Sequence, residues 1–257
     1  MQGMVPLSGF GGVPYSAVRK AAPRNILDNS DFTNLVAQAG IGGNHGTIAY
    51  AADRWILDSG TVSYEAGVGL TLNGTIRQKL EFPTTGETSA FVGMASGAAS
   101  ISYADGAVTI TSSGGVLKWA ALYEGEYTAE TMPEYHPKGY GAELAECQRY
   151  YINLNPNNIK YDTVAFGMGW DVQNEVDFVV NLPVPMRKTP SFTNQNNLRI
   201  YDATNASFEE LPSSTVILLN QNGLKIVCSG VNGWVQGRMY TLNTLADNVS
   251  IGLTADL

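Results

Sequence analysis

The chain has 257 residues, of which 44% are hydrophobic and only 15% are charged, against a typical charged share of about 25%. Its 23 acidic and 15 basic side chains give a net charge of −8, and no basic run is present that would neutralise a row of phosphates. Composition therefore argues against nucleic acid as a partner. No apolar stretch approaches the roughly 18 residues of a membrane span, and the first residues lack the pattern of a signal peptide, so we expect no membrane insertion.

Residues 1–24 are rich in glycine, proline and alanine and contain few periodic apolar positions. This composition is typical of an extended arm that packs on a neighbouring subunit. A frayed terminus would have the same composition. Both interpretations stand at this point.

From residue 25 onward, apolar residues alternate with polar ones, as they do in strands that are buried on one face. The clearest alternating runs begin at Leu117, Val176 and Ile251. Between apolar runs lie three dipeptides that tolerate positive φ, as tight type I′ hairpins require: Asn73-Gly74, Asp105-Gly106 and Asn222-Gly223. The sequence therefore predicts an all-β fold with at least three hairpins.

Residues 141–149 are the one stretch that resembles a helix. They are good helix formers, and Leu144 and Cys147 lie three residues apart on one face. The segment is barely two turns long and has strand-like sequence on both sides. It is therefore predicted to be a helical connector between a β-sandwich at residues 25–140 and a second β-sandwich at residues 150–257.

The four tryptophans occur in two kinds of context. Trp55 and Trp119 lie in apolar, strand-like runs and are predicted to belong to the core. Trp170 and Trp234 each follow a glycine and stand among polar residues, which places their rings at loop tips or strand ends. Because proteins bind sugars through flat aromatic faces and polar side chains, the candidate ligand-binding residues are Trp170, Trp234, Asp171, Asn232 and Gln236. Burial against another subunit would explain the sequence contexts of Trp170 and Trp234 equally well.

The sequence shows no constellation of catalytic residues. His45 and His136 stand in loop-like contexts without a second histidine at metal-ligand spacing, and they are predicted to be surface or hinge residues. Four glutamates within residues 124–134 fit a solvated turn better than an acid and base pair. Cys147 and Cys228 are predicted to be half-buried thiols. We therefore expect a binding protein and no enzymatic activity.

Four segments occur in an informative order: NILDNSDF at residues 25–32 with DRW at 53–55, KWAALYEGEYTA at 118–129, GAELAECQRYY at 141–151, and LPVPMRKTP at 182–190. Together they resemble bacteriophage and prophage fibre proteins of gut bacteria. The first two resemble a jelly-roll domain related to carbohydrate-binding modules, and the others resemble its junction and the C-terminal β domain. The junction is the most specific, and the resemblance covers residues 25–257.

The resemblance implies a virion protein, a tail or head fibre, that self-associates as a homotrimer and binds a host-surface glycan or protein. The arm at residues 1–24 would then contact other virion proteins. Related jelly rolls often hold a structural calcium through oxygen ligands of the first strand, and Asp28, Asn29 and Asp31 supply such oxygens. Capping of turns is the ordinary role of such residues and is the alternative.

The leading hypothesis is a structural fibre subunit, located in the virion, that attaches the particle to its host as a receptor-binding protein without catalysis. It would consist of an arm at 1–24, a jelly roll at 25–140, a connector at 141–149 and a β-sandwich at 150–257. The alternatives are a stand-alone carbohydrate-binding module of a secreted bacterial protein and a capsule-degrading depolymerase fibre.

Overall fold

The computed structural model describes residues 23–45, 47–156, 159–170, 175–193, 195–211, 215–231, 233, 235–247 and 251–255. Antiparallel strands dominate these residues, and one α-helix lies among them between two groups of strands. The predicted all-β fold with a short helical connector is therefore confirmed. No helix in the described ranges is long and apolar enough to cross a membrane. All but the last two residues of the expected arm lie outside the described residues.

The first seven strands form one antiparallel sheet around the first core. Strands β1 to β4 are neighbours in chain order, β7 lies beside β4, and β5 and β6 follow each other along the far side of β7. Residues 26–32 pair with the part of β7 that β4 leaves free. The strands are β1 (Asn44–His45), β2 (Ile48–Ala52), β3 (Trp55–Glu65), β4 (Gly69–Lys79), β5 (Thr88–Ser96), β6 (Ala99–Ala104) and β7 (Ala107–Glu124).

The turn between β6 and β7 is the hairpin predicted at Asp105-Gly106. These residues have φ values of 51° and 72°, and Ala104 pairs with Ala107 on either side of them. Positive φ at both central residues matches the twist of the loop to that of the flanking strands. This hairpin prediction is confirmed.

The hairpin predicted at Asn73-Gly74 is wrong, because both residues lie inside β4. The chain reverses instead at residues 66–68, where Gly67 has a φ of 78°. Gly74 pairs with Gly60 of β3, and both glycines have positive φ. A Cβ atom on Gly60 would lie 1.9 Å from the carbonyl oxygen of Asn73. Close approach of two strand backbones, and not a turn, requires these glycines.

The predicted core tryptophans differ in burial. Trp55 is fully buried, its ring lies 5.3 Å from that of Phe32, and its Nε1 donates a 2.9 Å hydrogen bond to the carbonyl oxygen of Asn29. This prediction is confirmed. Trp119 is half-buried and stacks on Tyr135 at a centroid distance of 4.9 Å. It therefore packs at the margin of the core, where it is covered by the segment that leads to the helix.

The connector is helix α1 (Tyr140–Gln148), displaced by one residue from the predicted segment. Its buried residues are Glu143 and Cys147, one turn apart, whereas Leu144 is only half-buried. The apolar face predicted from Leu144 and Cys147 is therefore only partly correct. Cys147 and Cys228 are both free thiols, and they are fully rather than half buried.

The remaining strands form a seven-stranded and a three-stranded antiparallel sheet that enclose a second core. The larger sheet has the order β13-β12-β16-β9-β10-β15-β14 and the smaller one β11-β17-β8. The core takes residues from both sheets, which together form the predicted C-terminal sandwich. The strands are β8 (Tyr151–Asn153), β9 (Thr163–Trp170), β10 (Glu175–Asn181), β11 (Ser191–Thr193), β12 (Leu198–Asp202), β13 (Ser207–Glu210), β14 (Val216–Asn220), β15 (Gly223–Ser229), β16 (Met239–Thr244) and β17 (Gly252–Thr254).

The hairpin between β14 and β15 is present, but its turn lies one residue earlier than predicted. Asn220 pairs with Gly223, which leaves Gln221 and Asn222 as the turn residues. Both are described and neither has positive φ. The side-chain oxygen of Asn220 instead accepts hydrogen bonds from the N–H groups of Asn222 and Gly223 at 2.8 and 3.0 Å. Side-chain capping therefore reverses the chain here, without type I′ geometry.

A buried carboxylate connects α1 to the first unit. Glu143 is 3% exposed, and its Oε2 accepts a 2.6 Å hydrogen bond from the N–H of Asn29. Burial raises the pKa of Glu143, and the Asn29 hydrogen bond and the nearby Lys138 ammonium offset only part of that rise. The carboxylate thus satisfies a backbone donor that would otherwise be buried without a partner.

His45 also lies at this junction and is buried, so of the surface or hinge position predicted for it the surface position is wrong. Its ring stacks between Tyr50 at 3.9 Å and Tyr151 at 3.7 Å, and its Nε2 lies 3.5 Å from Asp53 Oδ1. Tyr151 belongs to β8 of the second unit, so these stacked rings join the two units. His136, in contrast, is exposed as predicted.

We expect Glu143→Ala to lower the free energy of unfolding by about 2 kcal/mol, because the buried N–H of Asn29 loses its acceptor. The matched control is Glu146→Ala on the same helix. Glu146 pairs with the largely exposed Arg24 and with Lys138, so its loss should cost less than about 1 kcal/mol. Urea denaturation measures both. Equal effects would contradict the role given to Glu143.

The raised pKa of Glu143 also predicts a pH dependence. The folded chain binds the proton of this carboxyl more tightly than the unfolded chain does, so the group stabilises the fold below its ordinary pKa of about 4.3. That contribution is lost as the pH rises through the folded value. Relative to the non-titrating Glu143→Gln variant, the wild type should therefore gain unfolding free energy between about pH 7 and pH 4. A constant difference over this range would refute the prediction.

Candidate functional site

A polar pocket of about 190 Å³ lies at one end of the second unit. It is formed by the β12–β13 hairpin on one side and by the chain that leads into β16 on the other. Its lining combines hydrogen-bonding side chains with a small apolar floor and consists of Ile200, Asp202, Asn205, Ser207, Glu209, Val231, Gly233 and Tyr240. Ser207 and Asn205 are exposed, so the pocket opens to solvent on the hairpin side.

Asp202 organises the hairpin that forms the pocket. Its Oδ1 accepts hydrogen bonds from the N–H groups of Thr204 at 2.9 Å and Asn205 at 3.4 Å. Its Oδ2 accepts from Asn205 Nδ2 at 2.9 Å and from Arg238 Nη1 at 2.7 Å. Because four donors converge on one carboxylate, the turn after β12 and the start of β16 are held together.

These donors also keep Asp202 ionised. Burial alone would raise the pKa of Asp202, but the hydrogen bonds from Thr204, Arg238 and Asn205 outweigh it, and the pKa lies below its ordinary value. A carboxyl group of this kind is an anion at neutral pH. It can accept hydrogen bonds from a ligand but is a poor proton donor.

Residues 235–238 bring the pocket close to the end of β9. The N–H of Val235 donates to the hydroxyl oxygen of Tyr240 at 3.0 Å. Gly169 donates to the carbonyl oxygen of Arg238, and Gly237 donates to the carbonyl oxygen of Gly169, both at 3.0 Å. The two segments that the sequence singled out, one around Trp170 and one around Gln236, therefore meet at the same end of the sandwich.

The predicted binding residues do not all belong to the pocket. Gln236 is exposed on the segment beside it. Trp170 is 56% exposed but lies on the opposite face of the sheet, because β9 buries Ala165 and Gly169 and exposes the alternate residues. Asp171, Asn232 and Trp234 lie outside the described residues. Asn232 and Trp234 flank Gly233, which lines the pocket, and their role stays a prediction.

Trp170 instead belongs to a row of exposed apolar side chains on the outer face of the seven-stranded sheet, which we call the outer stripe. Its members share an exposure above one half and lie on β9, β10, β14 and β16. They are Phe166, Met168, Trp170, Val179, Leu218 and Met239. The sheet register places Met168 opposite Met239, so the stripe crosses strands instead of following one.

The residues that line the pocket were missed by sequence reasoning. The segment from Asp202 to Asn205 carried a local signal, since aspartate and asparagine between two strand-like runs favour a turn. That signal predicts a hairpin but not a pocket. The pocket also needs Tyr240 and Val231, and a single sequence does not show that these approach a hairpin some 30 residues earlier.

The side chains proposed for calcium have other partners. Asp28 lies 3.2 Å from Arg54 and 3.3 Å from Lys138, and Asp31 accepts hydrogen bonds from the N–H and hydroxyl of Thr33. Among the described residues, no group of three or more His, Cys, Asp or Glu is placed to hold a metal. These contacts suit the alternative of turn capping and ion pairing, and the structural calcium stays a prediction.

A larger cleft, of about 350 Å³, lies where α1 meets the first unit. Its lining contains six charged side chains, and three ion pairs account for all of them: Arg24 with Glu146 at 3.0 Å, Arg54 with Asp28 at 3.2 Å and Arg149 with Glu81 at 3.0 Å. Charges that pair within the chain are not available to a ligand without a cost in free energy. The cleft is therefore better explained by the attachment of the helix than by binding.

No family model matches the chain, and no curated protein or solved structure is significantly similar to it. The resemblance to phage fibre proteins therefore rests on the four sequence segments and stays a prediction. The polar pocket and the outer stripe are the structural features that bear on function.

Replacing Asp202 by alanine should lower the free energy of unfolding by about 2 kcal/mol, since hydrogen bonds to a charged group are lost from a buried position. Asp247→Ala is the control, because Asp247 is exposed and accepts one described hydrogen bond, from the N–H of Lys160. Chemical denaturation should show less than about 1 kcal/mol for the control. An Asp202→Ala variant as stable as the wild type would contradict the role given to Asp202 in holding the β12–β13 hairpin.

Proposed function

We propose that this protein is a non-catalytic attachment subunit of a phage particle, a fibre component that binds a glycan of the host surface in the polar pocket of its second unit. The observation that carries the proposal is the pocket itself. It places hydroxyl, amide and carboxylate groups around a solvent-open space at the end of a rigid sandwich. The sequence segments similar to fibre proteins supply the virion context.

The chemistry of the lining suits a sugar. Ser207, Asn205 and the Asp202 carboxylate offer donors and acceptors for ring hydroxyls, and Tyr240 and Ile200 supply an apolar floor. A ligand with several anionic groups is disfavoured, because Asp202 and Glu209 line the same space. The proposal is therefore a neutral or weakly charged saccharide unit.

Binding at one such pocket would be weak, because the space is small and open. A fibre displays several copies of its subunit, and each additional contact then acts at a high effective concentration. Multivalent display would convert weak contacts into stable attachment of a particle. Multivalency of this kind needs several copies of the subunit but no particular number of them.

The depolymerase alternative has one observation in its favour, the presence of Asp202 and Glu209 in the same pocket. Glycoside hydrolysis needs a carboxyl that stays protonated at working pH to donate to the leaving oxygen. The lowered pKa of Asp202 opposes the acid role for this residue, and the four donors that occupy its two oxygens hinder it as the nucleophile or base. Binding without turnover is favoured. Release of reducing ends from bacterial capsule polysaccharide would instead favour the depolymerase.

Filling the pocket tests the proposal. Ser207→Trp should lower binding to an array of bacterial surface polysaccharides at least tenfold, because the bulky ring occupies the space while the hydrogen bonds of Asp202 stay in place. The control is Ser63→Trp, at an exposed strand serine of the first unit. It should bind like the wild type. Undiminished binding by Ser207→Trp would exclude this pocket as the glycan site.

A further inference from the structure

The outer stripe is a sheet face that no other element of the described chain covers. Alternation directs Ala165, Phe178 and Leu242 into the core between the two sheets, and their strand neighbours point the other way. The neighbours include large side chains with exposures of 66% for Phe166, 62% for Met239 and 52% for Met168. Isolated exposed apolar residues are common, but a contiguous set across several strands marks an interaction surface.

The strand register relates the members of the stripe to one another. Met168 lies opposite Met239 on one side and Asp177 on the other. Val179 pairs with Lys225, and Lys225 pairs with Leu218. The exposed apolar side chains therefore extend from β16 across β9 to β10, and Lys225 of β15, paired with Asp177, lies between Val179 and Leu218 on the edge strand β14.

The area of the stripe matches a standard protein interface. An aromatic side chain presents about 150–250 Å², so Phe166 and Trp170, at 66% and 56% exposure, leave roughly 100 Å² each to solvent. Six side chains of comparable exposure give on the order of 500 Å². A stable interface buries about 800 Å² per partner, of which roughly 60% is apolar. The stripe thus supplies about the apolar area that one side of such an interface needs.

Charge on this face permits contact between identical copies. The chain as a whole carries a net charge of −8, which opposes self-association. On the outer face, however, Asp177 is paired with Lys225 at 2.7 Å, and Arg199 lies over the ring of Phe208 at 3.4 Å. Of the acidic groups beside the stripe, Asp177 is therefore balanced by a cation of the same face, whereas Glu175, opposite Trp170, accepts a hydrogen bond from the Ser229 hydroxyl.

The two edges of the seven-stranded sheet differ in a way that supports the same conclusion. Edge strand β13 carries Glu209 and Glu210, charges that discourage another strand from approaching. Edge strand β14 has the sequence VILLN, with no charge and no proline, and its Leu218 is 53% exposed. Among the described strands, the edge without charges is the one that borders the stripe, so charge does not oppose the approach of a partner on that side of the sheet.

From these observations we infer that the outer stripe is the surface through which copies of this chain contact one another, with a second copy as its occupant. Trp170 is then an interface residue, not part of the glycan pocket. The inference does not rest on glycan binding, since the pocket and the stripe lie on opposite faces of the sheet. It goes beyond the proposed function in naming the surface that assembles the subunits.

The test is the mass of the full chain in solution, measured by size-exclusion chromatography with light scattering over a range of micromolar concentrations. The wild type should have the mass of two or more copies. The double variant Phe166→Glu, Met168→Glu should be a monomer, because four acidic groups would meet across each symmetric contact. Phe82→Glu is the control, since Phe82 is 77% exposed but lies on the first unit, and it should keep the wild-type mass. A monomeric wild type, or an assembled double variant, would overturn the inference.

Hydrogen–deuterium exchange on the wild type alone makes the test independent of how the variants fold. Backbone amides of β9 and β14 should exchange at least tenfold more slowly at high than at low protein concentration, while those of β3 should not change. Protection that appears elsewhere, or that appears on the stripe only when a bacterial polysaccharide is added, would reject a second copy as the occupant. Ser207→Trp should leave the mass unchanged, so failure of the glycan proposal and failure of this one are distinguishable.

Discussion

A single asparagine connects most of the parts on which the arrangement of the chain depends. Asn29 donates its backbone N–H to Glu143 of the helix and accepts a hydrogen bond at its carbonyl oxygen from Trp55. Its side chain bonds to the backbone of Val36 and to the carbonyl of Asp53. Its φ of 48° lies in the left-handed region, which asparagine tolerates better than most residues. All these groups are buried. Replacing Asn29 by a residue that lacks its side-chain donor and acceptor would therefore leave several of them without partners.

This contact fixes where the second unit begins. The helix that Glu143 attaches leads directly into β8, whose Tyr151 stacks on His45 and whose carbonyl oxygen accepts from Gln38. β8 is in turn one edge of the three-stranded sheet that covers the second core. The seven-stranded sheet on the other side of that core presents both surfaces of interest. Its inner side ends in the polar pocket, and its outer side carries the apolar stripe.

The sequence was sufficient for features that depend on local geometry. Asp105 and Gly106 specify their own turn, because both tolerate positive φ and stand between two alternating runs. Helix α1 could likewise be predicted from residues that are close together in the sequence. Asn73 and Gly74 show the limit of this reasoning, since the same dipeptide serves where two strand backbones approach closely, and the approaching glycine, Gly60, is 14 positions away in the chain.

Features that depend on distant residues were not accessible from one sequence. His45 resembles a loop residue in its own neighbourhood, but its ring is buried between Tyr50 and Tyr151, and Tyr151 arrives from the second unit. Trp170 could be recognised as exposed, but its separation from the pocket follows from the face of β9 on which it lies, and that depends on the register with β16 and β10. Predicting a polar pocket between two segments likewise requires knowledge of which strands are neighbours.

The burial of the two thiols has a consequence for the durability of the chain. Burial raises the pKa of Cys147 well above its ordinary value and that of Cys228 to about 11. Since the thiolate is the species that reacts in oxidation and disulfide exchange, almost none of either sulfur is reactive near neutral pH. The two sulfurs also lie in different parts of the fold, one on the connector helix and one in the second core. Oxidation of either thiol is therefore disfavoured when the molecule passes from a reducing to an oxidising solution.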